Sequence, residues 1–213
     1  MNNNDLDLIE RLKQRLKGSK PGLPAQLEMV PHPRPGQKIY TEIEDSCLKA
    51  GILLLLYPRD GSFYLVLTRR AGTVLHHRGQ IGLPGGQLEP GENFEEAALR
   101  ETWEELGVPP DQLKILGSLT PLYIPPSDFC VYPVVAVAAG PVIFNPLPEE
   151  VAEVIELPLR HLMDPQNTRR ETWTIHDRPV EVPFYEYREH KIWGATAMVL
   201  AEFLAVLQST QKI

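Results

Sequence analysis

Two cysteines in 213 residues are too few for the disulfide framework that staples small secreted domains. Cys47 and Cys130 both stand in apolar segments, which suits buried thiols and a reducing, cytoplasmic setting. No apolar run reaches the length that spans a bilayer, and the polar, amphipathic start MNNNDLDLIERLKQRLKG lacks the apolar stretch of a signal peptide. The closing residues Gln211, Lys212 and Ile213 are not a peroxisomal address. Basic residues are in deficit, with 21 Lys and Arg against 28 Asp and Glu, and the net charge of -7 argues against non-specific binding to nucleic acid or to an anionic membrane. An anionic substrate would therefore need a local basic patch or a metal.

What is present suits one domain, since 213 residues with 43% hydrophobic content can bury a full core. Asn4 and Asp5 can cap a helix carrying Leu8, Ile9, Leu12 and Leu16 at helical spacing until Gly18 ends it. Residues 19–38 are rich in Pro and Gly and should run extended, giving a helix and arm over 1–38 and a globular body over 39–213. The apolar runs Leu48 to Tyr57 and Phe63 to Thr68 flank Pro58-Arg59-Asp60-Gly61, which predicts a hairpin in a mixed sheet. Strand-like runs return at Leu113 to Leu119 and Val131 to Ala138. Ala195 to Leu207 then forms an amphipathic helix through Met198, Val199, Leu200, Phe203, Leu204 and Leu207. The interleaving predicts an α/β (α+β) sandwich.

Asn93 and Glu96 form a capping box, and Gly107 supplies a stop before Pro109 and Pro110, so a helix spans 94–106. On a helical wheel Glu101, Glu104 and Glu105 share one face, leaving Leu99, Trp103 and Leu106 to bury on the other. Like charges at these spacings cost a few tenths of a kcal/mol per pair, on the order of 0.2–0.5. The cluster therefore calls for a cation, and hard oxygen ligands point to Mg²⁺ or Mn²⁺. Taken alone, three carboxylates are a solvated acidic face. Immediately upstream, however, Leu83-Pro84-Gly85-Gly86-Gln87-Leu88-Glu89-Pro90-Gly91-Glu92 places paired glycines where backbone can approach a ligand or metal.

Here the chain resembles the Nudix family, whose box G-x5-E-x7-R-E-U-x-E-E-x-G-U (U apolar) is matched by Gly86, Glu92, Arg100, Glu101, Glu104, Glu105, Gly107 and Val108. Thr102 departs at the first apolar position, where its methyl can still pack. The resemblance implies an α/β/α sandwich and metal-dependent hydrolysis of a pyrophosphate bond. It implies Glu101 and Glu105 as metal ligands with the Gly86 carbonyl, Glu104 as a further ligand or as a base acting through water, and Glu92 and Arg100 as anchors of loop to helix. Arg100, one turn before Glu104, can hold that carboxylate in place. Water made more acidic by the metal attacks phosphorus, without a covalent enzyme intermediate.

The segment LVLTRRAGTVLHHRGQIGLPGG, residues 65–86, is similar to the signature of the coenzyme A pyrophosphatase branch through Leu67, Thr68, Arg70, Ala71, Gly79 and Pro84-Gly85-Gly86. Leu75 and Leu83 depart from it, standing where that pattern has Arg and Phe. Arg69, Arg70, His76, His77 and Arg78 form a basic stretch without an acid, so Arg69, Arg70 and Arg78, with Gly79 and Gly85, are the candidates for gripping substrate. His76 and His77 read as solvated. Val131 to Val135, Glu149 to Val154 and Ile192 to Ala197 also look like this branch, extending the resemblance over about residues 47–207. Glu150 and Glu153 fall where some relatives carry an extra acidic catalytic group and are candidates for that role, though helix-forming charged residues are more often plain surface; Trp103 and Trp193 read as core. The expected activity is hydrolysis of coenzyme A or acyl-coenzyme A to 4'-phosphopantetheine, acylated or not, and adenosine 3',5'-bisphosphate. The alternatives are another nucleoside diphosphate derivative, such as ADP-ribose or a dinucleotide, or a non-catalytic nucleotide-binding regulator. The expected partner is a nucleotide-containing small molecule, with neither nucleic acid nor membrane, and with homodimerisation left open.

Overall fold

Strict alternation along the apolar run from Leu48 sends successive side chains to opposite faces of a strand, so this one segment serves two cores. In the computed structural model, which describes residues 3–33, 47–71, 79–175 and 177–211, it forms β1 (Leu48–Arg59), returning through Asp60 and Gly61 into β2 (Ser62–Arg70). Both turn residues have positive φ, +49° and +71°, as a tight hairpin requires. The register pairs Leu56 with Leu65 and Arg59 with Ser62.

β1 is the centre of an eight-stranded mixed sheet. It runs parallel to β7 (Phe129–Ala138) and antiparallel to β4 (Gly85–Gln87), so Gly51 has Tyr132 on one side and Gly86 on the other. β2 carries the short β3 (Ile81–Gly82) and β8 (Val151–Pro158), while β7 carries β5 (Leu113–Ser118) and β6 (Leu122–Ile124). One face, with Leu53, Leu55, Tyr57, Val66 and Val134, packs on Ala98 and Leu106 of α3 (Phe94–Leu106). The other, with Leu54, Leu56, Leu65 and Leu67, packs on Leu200 and Phe203 of α5 (Gly194–Gln211) and Leu12 and Leu16 of α1 (Asn3–Lys17). Each fully buried Leu contributes roughly 1.5–3 kcal/mol. This is the expected α/β/α sandwich around a mixed sheet.

Four features differ from the sequence expectations or lie where the sequence predicted no particular element. The stretch 19–38 is interrupted by α2 (Leu23–Leu27), which Pro24 permits because it lies in the first turn; residues 34–38 are outside the described ones. The segment after β8 holds α4 (Leu159–Leu162) and then a separate three-stranded sheet of β9 (Thr168–Ile175), β10 (Arg178–Tyr187) and β11 (His190–Trp193). Cys47 and Cys130 are joined in a disulfide, with Cα atoms 5.8 Å apart, because the parallel pairing of Lys49 with Cys130 brings the start of β1 beside β7. The argument for a reducing compartment from free thiols therefore lapses. Trp103 is 55% exposed, because the buried face of α3 is Ala97, Ala98, Thr102, Glu105 and Leu106, and Trp103 turns to solvent beside Arg100 and Glu104. No described helix is long and apolar enough to cross a membrane.

Candidate active site

The site is assembled where β4 runs through a turn into α3. Glycines make the approach: a Cβ on Gly51 would stand 2.3 Å from the Phe94 carbonyl oxygen, so α3 lies directly on β1. Gly85 has φ +148° and its Cβ would meet the Gly51 carbonyl oxygen at 2.3 Å. A Cβ on Gly86 would fall 2.3 Å from the Glu101 carboxyl carbon, so the bare Gly86 backbone faces that carboxylate. The capping box is formed as expected, with Asn93 accepting from the backbone N–H of Glu95 and Glu96, and Gly107 closes the helix at φ +69°. Thr102 is fully buried and donates to the Ala98 carbonyl at 2.7 Å.

Arg100 organises the loop and the helix together. Its Nε and Nη2 donate to the two oxygens of Glu92 at 2.9 and 3.0 Å, and Nη2 also reaches the Gln87 carbonyl at 3.1 Å. Its Nη1 donates to Glu101 at 2.9 Å and to Glu104 at 3.1 Å. Glu92 in turn accepts from the Glu89 backbone N–H at 3.0 Å. The Arg100 guanidinium holds the Glu92 carboxyl below its ordinary pKa, and the Glu92 carboxylate raises that of Arg100.

The other carboxylates move the opposite way. Burial raises the Glu101 pKa, with Glu104 and Glu150 adding repulsion and Arg100 opposing. Glu105, 4% exposed, is pushed up to about 8, first by burial and then by Glu101 and Glu150, against Arg70 and a Gly85 N–H. Its Oε2 and the Nε of Arg70 are buried without hydrogen-bond partners among the described residues. A buried carboxylate oxygen without a donor, a second carboxylate under repulsion and an exposed backbone at Gly86 form an all-oxygen set that fits a hard divalent cation. Glu104, by contrast, has a 51% exposed side chain.

The basic stretch is split by the strand. Arg70 faces the Glu105 side, re-aimed by an irregularity in register between Arg69 and Arg70, while Arg69 points to the other face and donates to Glu153 at 2.8 Å. Gly79, at φ +69°, donates its N–H to the Arg70 carbonyl at 3.2 Å, so the loop ends meet. Arg78 lies outside the described residues, as do Leu75, His76 and His77. Leu83 is 8% exposed within the α5-side core. Trp193 is half-buried, edge-on to Trp173 at 5.2 Å, and Thr196 ties the start of α5 to the Ile81 carbonyl at 2.9 Å. Glu150, read from sequence as plain surface, belongs to the cluster: its carbonyl accepts from the Ala71 N–H at 2.8 Å and its charge raises Glu101 and Glu105. The pairing of β8 with β2 brings it there, and the family resemblance was the one sequence signal that pointed to it.

The family model described as NUDIX domain matches residues 48–179. The uncharacterized Nudix hydrolase NudL of Photorhabdus laumondii is 29% identical, over 86% of this chain and 94% of that one. Its counterpart in Pectobacterium atrosepticum is 36% identical over 64% and 71%. Nudix hydrolase 22, chloroplastic, of Arabidopsis thaliana is 30% identical over 75% and 55%. Among solved structures, the MutT protein of Methanosarcina mazei Go1 superposes with TM-score 0.50 at 18% identity, covering 78% of this chain and 96% of that one, a likeness of fold.

Proposed function

From the premise that the chain belongs to the NUDIX family and is an enzyme that hydrolyses pyrophosphate bonds, we propose that its substrate is coenzyme A or an acyl-coenzyme A. The observation that carries this reading is the closure of Gly79 onto Arg70 beside Glu105, which joins the residues of the coenzyme A-type signature to the acidic cluster. Arg70, its buried Nε without a partner, supplies the charge that grips the diphosphate, with Gly79 and Gly85 offering backbone around it. Arg69 is engaged by Glu153 and takes a lesser part.

Glu101, Glu105 and the Gly86 carbonyl are the groups that would hold Mg²⁺ or Mn²⁺, with Glu104 beside them. Bound there, the cation neutralises diphosphate oxygens and acidifies nearby water. Arg100 fixes Glu101 and Glu104 in one orientation through a single nitrogen, and its grip on Glu92 locks the loop to α3. Glu104, on the solvent side, takes the proton of the attacking water. An oxygen–phosphorus bond forms, the bond from that phosphorus to the bridging oxygen breaks, and the two phosphate products leave without covalent attachment to the chain.

The experiment is a product assay. Purified protein with Mg²⁺ or Mn²⁺ is expected to release 4'-phosphopantetheine and adenosine 3',5'-bisphosphate from coenzyme A, faster than it cleaves ADP-ribose or a dinucleotide. Faster turnover of either of the others would move the substrate to another nucleoside diphosphate derivative.

A further inference from the structure

Away from the acidic helix, the β10–β11 turn leans against the outer strand β8. His190, which opens β11 opposite Tyr187, has a side chain only 10% exposed, and its Nε2 lies 3.1 Å from Glu153 Oε1. The same nitrogen is 4.0 Å from Glu189 Oε1, whose side chain is 77% exposed. Among the described residues, these three form the group of metal-capable side chains whose ligand atoms all lie within 4.8 Å of one another.

We propose that Glu153, Glu189 and His190 form a second divalent-metal site, of the zinc class, that clasps the three-stranded sheet to the central one. Two donors about 2.1 Å from one tetrahedral zinc stand about 3.4 Å apart, so the observed 3.1 and 4.0 Å close on an ion by small side-chain movements. The Glu153 carboxylate is already shared in the way a ligand needs. Arg69 Nε donates to Oε2 at 2.8 Å, which orients the group and leaves Oε1 towards the imidazole. A cavity of about 310 Å³, lined by Arg59, Tyr64, Glu153, Tyr187, Arg188 and His190, opens beside two of the donors, Glu153 and His190, and provides an entry path and room for a water as fourth ligand. One nitrogen and two carboxylates favour zinc over the hard cations suited to the oxygen-only cluster on α3. The ligands come from β8 and from the β10–β11 turn, so the ion would bridge two sheets joined here by the contact of His190 with Glu153.

The test is calorimetric titration of the full chain with Zn²⁺ in the presence of excess Mg²⁺, which occupies oxygen-only sites. One equivalent of Zn²⁺ is expected, lost in His190→Ala and Glu153→Gln. In Glu189→Gln, a change at an exposed side chain that leaves the fold unaffected, the affinity should fall about tenfold or more. Co²⁺ in place of Zn²⁺ should give a tetrahedral visible spectrum that disappears in His190→Ala. Unchanged Zn²⁺ affinity and stoichiometry in Glu189→Gln would overturn the proposal even if the other variants failed to fold. So would Zn²⁺ binding that responds only to substitutions at Glu101 or Glu105. The readout is metal binding rather than turnover, so its outcome is independent of which diphosphate the enzyme cleaves.

Discussion

Arg100 and Glu92 face each other fork to fork, Nε to Oε1 at 2.9 Å and Nη2 to Oε2 at 3.0 Å, across a stretch of chain that includes the turn into α3. Their side chains are 22% and 14% exposed, so the pair is shielded enough to hold its geometry. Lysine carries the charge but not the fork. Arg100→Lys should therefore keep the fold while freeing Glu101 and Glu104, lowering kcat/KM about a hundredfold, equivalent to about 2.7 kcal/mol of transition-state stabilisation. Steady-state kinetics with circular dichroism would check this, and near-normal kcat/KM would refute the positioning role.

At Gly86 the constraint is space. A methyl group there would stand 2.3 Å from the Glu101 carboxyl carbon, well inside contact distance. Because that carboxylate ends a flexible side chain, Gly86→Ala should fold and displace Glu101 instead. Mn²⁺ affinity, followed by electron paramagnetic resonance, should fall at least tenfold, whereas Gly140→Ala, where a Cβ has open space, should leave it unchanged.

Glu105 makes the metal-free protein sensitive to alkali. Its folded pKa, about 8, lies above the ordinary carboxylate value near 4.5. The unfolded chain therefore releases this proton first as pH rises, so stability is intact below about pH 4.5, erodes up to about 8 and is level beyond. A cation binds the ionised form, so the rise in melting temperature on adding Mn²⁺ should grow from pH 6 to pH 9. Glu105→Gln should flatten both trends and remove most activity. Melting curves in chelator and in Mn²⁺ across that range give the comparison.

The helix of the acidic cluster was legible because everything that defines it is local: the Asn93–Glu96 box, Gly107, and the spacing of Arg100, Glu101, Glu104 and Glu105. The hairpin at Asp60-Gly61 was legible for the same reason. Features set by pairing between distant segments were hidden. Nothing local at Gly51 announces that α3 lies on it, and Glu150 reads as surface until β8 pairs with β2. The wheel placed Trp103 inside because it grouped the apolar residues. The buried face is instead set by the small Ala97 and Ala98, which let the helix close on Gly51, and it takes Glu105 with it.

The Cys47–Cys130 bond closes a separation of 83 residues between β1 and β7. A link of that span contributes roughly 4.5 kcal/mol in the chain-entropy picture. Protein purified and then denatured without reductant should show no titratable thiol, and two after reduction, with a cross-linked peptide pair by mass spectrometry of the unreduced digest. Two titratable thiols in the denatured but unreduced protein would return both residues to the buried-thiol reading.

Glu202 is the polar residue that the apolar pattern of α5 conceals. It is fully buried among Val199, Phe203 and Val206, yet its carboxylate accepts from the Gly22 N–H at 3.1 Å, Gln26 Nε2 at 2.8 Å, the Thr120 N–H at 3.1 Å and Thr120 Oγ1 at 2.7 Å. It thus pins α2 and the segment after β5 onto the last helix, all on the side of the sheet away from α3. Substituting Ala leaves several buried donors unpaired, each costing on the order of 1–3 kcal/mol. Substituting Gln keeps the shape and an acceptor but points an amide N–H₂ at groups that already donate. Both variants should therefore destabilise the fold, Glu202→Ala by about 3–5 kcal/mol in urea unfolding. The surface change Glu10→Ala should stay within about 0.5 kcal/mol. Because the network does not touch the acidic cluster, the folded fraction of Glu202→Gln should retain its turnover. A fall in kcat with stability unchanged would mean that α5 acts on the site rather than on the core.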